Sequence, residues 1–180
     1  MATNNLKIGS TAPEFNLEGV DGKKYSLNSF VDSKALIVIF SCNHCPYVQA
    51  YEGRIKKIQE DYKGKGVAVV AINSNDDKSY PEDSFDNMKI RVAEQKFNFP
   101  YLRDEDQSVA KAYDATHTPE IFLFDKERKL TFHGKIDDNW KEPDRVQNNY
   151  LRNALDELLG GKEISVPETF TIGCTIKWKK

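Results

Sequence analysis

Cys42 and Cys45 stand three apart in the stretch Ser41-Cys42-Asn43-His44-Cys45-Pro46. A pair so spaced can cycle between dithiol and disulfide: one thiolate attacks an oxidised partner and the other thiol resolves the mixed disulfide. It can instead hold a soft metal ion, but a tetrahedral site needs two more ligands of suitable type. Only His44 lies nearby, the third cysteine, Cys174, is distant in the chain, and there is no second Cys-x-x-Cys. Redox use is therefore the leading reading, with a metal site and two small buried residues as the competing ones. No metal is assigned. Cys174 reads first as a buried structural residue, the usual state of a free cysteine.

The flanks must position the pair. Upstream, Ala35-Leu36-Ile37-Val38-Ile39-Phe40 is a continuous apolar run of strand length, as in a strand covered on both faces. Downstream, Val48, Tyr51, Ile55, Ile58 and Tyr62 recur at helical spacing. The dithiol thus falls at a strand-to-helix junction, where the free N–H groups of the first helical turn favour a thiolate. On this reading Cys42, ahead of the helix, is the exposed low-pKa nucleophile, and Cys45, inside the first turn, is the resolving thiol.

The rest of the chain supplies a scaffold. Residues 6–30 read as a hairpin around Asp21-Gly22, and the first helix ends near Gly64 and Gly66. Val67-Ala68-Val69-Val70-Ala71-Ile72 reads as a second buried strand, parallel to the first through a right-handed crossover. A long polar stretch, 73–81, then suggests a mobile connection or a loop near a binding face. A helix is expected over 84–96 with Asp83 or Ser84 as cap, then a short strand over 99–102 and a brief helix around 109–113. Residues 121–124 and 130–133 form an antiparallel hairpin in this reading, and an apolar stripe from Val146 to Leu159 marks a helix covering one sheet face. Residues 162–180 are expected to pack back across the domain.

Composition narrows the function. A chain of 180 residues with 39% hydrophobic content suits one domain, read as spanning 1–180. A formal charge of −2 gives no electrostatic case for nucleic acid or an anionic membrane. No run approaches the roughly 20 apolar residues of a spanning helix, and residues 1–10 hold no signal-like apolar core, so a cytoplasmic protein is expected. Three cysteines do not make a secreted disulfide framework.

Several stretches together carry a resemblance: Gly9-Ser10-Thr11-Ala12-Pro13-Glu14-Phe15, Cys42-Asn43-His44-Cys45-Pro46-Tyr47-Val48, Ile72-Asn73-Ser74-Asn75-Asp76, Thr118-Pro119-Glu120 and Gly173-Cys174-Thr175-Ile176-Lys177-Trp178. The chain resembles the thioredoxin superfamily, in its AhpC/TSA (redoxin) branch, peroxiredoxin-like but carrying a Cys-x-x-Cys. The resemblance implies an α/β thioredoxin fold, a central mixed sheet with helices on both faces, extended by an N-terminal β-hairpin and an irregular C-terminal tail. It makes Thr118-Pro119 a cis-proline turn beside the dithiol, whose backbone at Thr118 would hold an extended substrate segment. It leaves room for Cys174 as an accessory thiol. Glu120, directly after Pro119, reads either as a proton acceptor or, by alternation along a strand, as aimed at solvent. His44 matches the histidine of periplasmic oxidants with Cys-x-His-Cys, where it stabilises the first thiolate.

The implied activity is thiol–disulfide oxidoreduction, with electrons passed to an oxidised protein or small thiol acceptor and restored by an upstream reductase. The cysteine pair itself is the redox group, with no further cofactor. Peroxiredoxins carry Pro-x-x-x-Thr/Ser-x-x-Cys, but counting back from Cys45 gives Cys42 and Val38, and from Cys42 gives Ile39 and Ala35. A thiol peroxidase is accordingly the second reading, and a non-enzymatic binding or metallochaperone module the third.

Overall fold

Every side chain of β3 (Ala35–Ser41) is buried, as its unbroken apolar run requires. In the computed structural model, which describes residues 6–180, this strand pairs in parallel with β4 (Val67–Asn73) from Ala35↔Val67 to Ser41↔Asn73. On its other edge it pairs antiparallel with β7 (Glu120–Phe124), which continues into β8 (Leu130–Gly134). Beyond β4 come β5 (Tyr101–Arg103) and the hairpin of β1 (Asn16–Gly19) and β2 (Lys24–Ser26). The seven strands lie in the order β2-β1-β5-β4-β3-β7-β8, the mixed sheet of a thioredoxin fold. A separate two-stranded ladder joins β6 (His117–Thr118) to β9 (Cys174–Thr175).

Alternation along β3 sorts the core into two layers. Ala35, Ile37 and Ile39 meet Tyr51, Ile55, Ile58 and Tyr62 of α1 (Pro46–Tyr62), Met88 of α2 (Phe85–Gln95), and Leu151, Ala154 and Leu155 of α4 (Tyr150–Leu159). Leu36, Val38 and Phe40 meet Phe15, Leu27, Phe30 and Tyr113, together with Val109 and Ala110 of α3 (Ser108–Ala112). Helix α1 gives way at Tyr62 to a short 3₁₀ turn ending at Gly66, whose φ of 85° suits glycine. Ser84 caps α2 by accepting the Asn87 N–H, as expected of one of the two candidate caps.

One expectation needs correction. The last helix starts at Tyr150, because the Asp138 carboxylate accepts the N–H groups of Gln147 and Asn148 and holds Val146 and its neighbours in a loop. Of the two readings of 73–81, the loop near a binding face fits: Asn73, Ser74, Asn75 and Asp76 are buried in the wall behind the cysteines, while Lys78 to Pro81 are exposed.

Candidate active site

Pro46 occupies the first turn of α1, where its missing N–H leaves no partner wanting. Cys45 is the N-cap residue with extended φ and ψ of −73° and 125°, so the helix begins after the second cysteine, not between the two. Two parts of the expectation are corrected by this placement: Cys42 is not exposed, and Cys45 caps the helix from outside its first turn. Cys42 is 2% exposed and Cys45 0%. Hydrogen bonding with Cys42, joined against the penalty of burial by Cys174 and the Val48 N–H, shifts Cys45 downward. Cys42 moves the opposite way, raised by that same bond, by burial and by the nearby Asp83 charge. The opposite directions are those of two buried thiols that share a proton.

Thr118 borders both sulfurs. Its Oγ1 lies 3.4 Å from Cys42 Sγ and its carbonyl oxygen 3.4 Å from Cys45 Sγ, and the Thr118-Pro119 bond is cis as the resemblance implied. The backbone edge expected to receive substrate is already taken, however. Antiparallel pairing sets Thr118 opposite Cys174 and His117 opposite Thr175, and the Ile176 N–H donates to Thr116 O at 2.9 Å. Cys174 Sγ thereby lies 2.7 Å from Cys45 Sγ.

Behind Cys42 is a carboxylate that the sequence reading treated only as a helix cap. Asp83, fully buried, accepts the Asn43 N–H at 2.6 Å, Asn75 Nδ2 at 2.9 Å and Asn73 Nδ2 at 3.3 Å. His44 Nδ1 lies 2.5 Å from Asp83 Oδ2 but off the hydrogen-bond axis. The ring is stacked on Tyr80 at 5.7 Å with an interplanar angle of 5°. His44 therefore faces Asp83 as well as the Cys42 sulfur. Arg103 braces the wall through Asn75 O at 2.8 Å, and Tyr101 donates its hydroxyl to Asn43 Oδ1 at 2.8 Å. Only the polar run directly after a buried strand hinted at this network.

Glu120 is neither a base at the sulfurs nor solvent-facing. It is 2% exposed and accepts Thr116 N–H at 2.7 Å, His117 N–H at 3.3 Å and His133 Nε2 at 2.9 Å. Burial pulls His133 down, but the Glu120 carboxylate outweighs it and the net shift is upward from 6.5. A histidine raised on folding lends stability that is fully present below its unfolded pKa and is lost as pH rises through the folded one. His133→Gln is therefore expected to lower the urea midpoint most below pH 6.5, with the difference from wild type shrinking through neutral pH. A pH-independent difference would contradict the assignment.

Among the described residues, Cys42, His44 and Asp83 bring a sulfur, a nitrogen and an oxygen within 4.8 Å of one another. Three ligands fall one short of a structural zinc site, and Asp83 already accepts three donors, so the cluster fits a hydrogen-bond network better than a metal.

The model of the Redoxin family matches residues 7–150. The chain belongs to the redoxin family. This redoxin is 41% identical to a hypothetical protein of Sinorhizobium meliloti 1021, whose crystal structure superposes with a TM-score of 0.90 over 98% of this chain and 97% of that one. An uncharacterized conserved protein of Geobacillus kaustophilus is similar at 43% identity and a TM-score of 0.91, over 98% and 94% of the two chains. Among curated relatives, the thiol-disulfide oxidoreductase ResA of Bacillus subtilis is 28% identical over 126 residues, 70% of this chain. That match takes in 66% of the relative's length, just under two thirds. No helix among the described residues of the redoxin is long and apolar enough to cross a membrane.

Proposed function

We infer that this redoxin is a thiol–disulfide oxidoreductase whose working couple is Cys42 and Cys45. The carrying observation is geometric: two buried free thiols three residues apart at the N-terminus of α1, both bordered by Thr118 before the cis Pro119, with Cys45 shifted down and Cys42 up. The Cys45 thiolate attacks a substrate disulfide and expels one substrate thiolate. Cys42 then gives up its proton, with the Asp83–His44 pair beside it as acceptor, and attacks Cys45. The products are a reduced substrate and a Cys42–Cys45 disulfide. Thr118 and Pro119 form the wall against which the exchange takes place.

Stabilising the thiolate favours the dithiol over the disulfide, and about 1.4 kcal/mol raises the potential by about 30 mV. Such a couple stays reduced in a reducing compartment. This supports a cytoplasmic electron donor to an oxidised protein or small thiol acceptor, recharged by an upstream reductase. The finer placement in the AhpC/TSA branch, with peroxide as acceptor, is the second reading. It draws support from the Thr118 hydroxyl beside Cys42 and is opposed by the lack of Thr or Ser three residues before either cysteine.

The test is equilibration of the full chain, carrying Cys174→Ser, in graded glutathione buffers, followed by acid quench, alkylation and peptide mapping. One two-electron transition ending in a Cys42–Cys45 link is expected. Two free thiols across the whole range, in folded protein, would overturn the reading. Fast peroxide consumption without a disulfide acceptor would promote the second one.

A further inference from the structure

We propose that Cys174 is a third redox thiol of this site, and that residues 173–176 are a tethered stand-in for substrate, docked on the Thr118 strand edge so that the tail's own sulfur meets Cys45. The proposal rests on the dithiol reading above and adds a second disulfide to it.

An added strand on an exposed edge is a common way to bind an extended peptide, with backbone hydrogen bonds giving the affinity. The tail does this to its own domain. Cys174 falls opposite Thr118, and its Sγ is 2.7 Å from Cys45 Sγ, about 0.7 Å beyond a covalent S–S bond of about 2.04 Å. The approach is built for glycine: a Cβ on Gly173 would lie 2.1 Å from Thr118 O. Downstream of Cys174 the segment is anchored. Ile176 is buried, Lys177 N–H donates to Asn75 Oδ1 at 2.9 Å, and Lys177 O accepts from Asp76 N–H at 2.7 Å and from Gln107 Nε2 at 2.9 Å. The cysteine is thus delivered to Cys45 from both sides, by a required glycine before it and by bonds to the buried loop after it.

The chemistry is an exchange within the oxidised protein. Cys174, losing its proton, attacks Cys45 Sγ; the Cys42–Cys45 bond breaks with its electron pair leaving on Cys42 Sγ, and Cys42 takes up the proton. One disulfide and one thiol go in and one of each comes out, so no outside oxidant or reductant takes part. In the reduced protein, burial together with bonding and charge from Cys45 pushes Cys174 up to about 11. Oxidation of Cys45 removes that charge, so Cys174 ionises more readily at the stage where it is needed. The oxidising equivalent moves from two buried sulfurs to a partly exposed one, where an incoming reductase thiol can reach it.

Wild type, Cys42→Ser, Cys174→Ser and Gly173→Ala, all full length, are oxidised with glutathione disulfide, acid-quenched, alkylated and digested without reduction. Linked peptides are then identified by mass spectrometry, with circular dichroism as the check on folding. Wild type is expected to give both the Cys42–Cys45 and Cys45–Cys174 links, and Cys42→Ser the Cys45–Cys174 link in nearly all molecules. Gly173→Ala should keep Cys42–Cys45 and lose Cys45–Cys174, as Cys174→Ser must. If wild type gives only Cys42–Cys45, and Cys42→Ser leaves Cys45 glutathionylated beside a free Cys174, the proposal fails while the dithiol reading stands. Absence of Cys42–Cys45 from folded Cys174→Ser strikes the dithiol reading instead. A wild-type yield of Cys45–Cys174 in Gly173→Ala would overturn the docking of the tail on Thr118.

Discussion

A Cys45→Ser protein is expected to lose disulfide-reducing turnover by roughly 10³-fold or more, on the scale of removing a nucleophile. Cys42→Ser is expected to retain its first half-reaction. The asymmetry follows from the opposite directions in which the two thiols are shifted. Cys45 sits at the helix N-terminus, where interaction with Cys42, Cys174 and the Val48 N–H shifts it down, whereas Cys42 faces the Asp83 carboxylate, which opposes a negative charge there. Cys42→Ser combined with Cys174→Ser, which removes both resolving thiols, should therefore form a mixed disulfide at Cys45 and stop, which makes the double variant the one for trapping partners. Single-turnover reaction with a fluorescent disulfide peptide, read for both variants near neutral pH, decides the order. Mixed-disulfide formation that persists in Cys45→Ser and vanishes in Cys42→Ser would restore Cys42 as nucleophile.

Asp83→Ala is expected to destabilise the fold by about 3–5 kcal/mol, because several buried donors lose one acceptor together. The change leaves the Asn43 N–H and the Asn73 and Asn75 amides without their acceptor, and His44 without its partner. Each orphaned buried donor costs about 1–3 kcal/mol, so several together reach that range even after relaxation. Urea unfolding gives the number, with an unchanged m-value as the sign that only stability moved. A loss below about 1 kcal/mol would show that the carboxylate is dispensable to the wall behind Cys42.

What could be read in the chain was what neighbours in sequence decide. The apolar run 35–40, the helical stripe from Val48 to Tyr62 and the run 67–72 each carry their own periodicity, so the strand–helix–strand unit holding the dithiol was legible. The cis bond at Thr118-Pro119 came from resemblance alone, since nothing local favours it. Long-range partners escaped. Asp83 reads as a cap because the Asn43 N–H it accepts is 40 residues away, and Cys174 reads as structural because Cys45 is 129 residues away. The helix start was misplaced by a smaller margin: it begins at Pro46, so Cys45 caps it instead of lying inside its first turn.

Two residue pairs hold β9 to β6, against seven that hold β3 to β4. The free energy of a local opening follows the bonds and burial it gives up, so the tail, even with its anchors at Ile176 and Lys177, opens at less cost than the sheet. The two buried sulfurs then have a duty cycle as well as a geometry. Cys42 and Cys45 are reachable for the fraction of time the tail is away, and a partner competing for Thr118 must wait for that interval or lower the free energy of opening. Amide hydrogen exchange at Ile176 reports that interval directly.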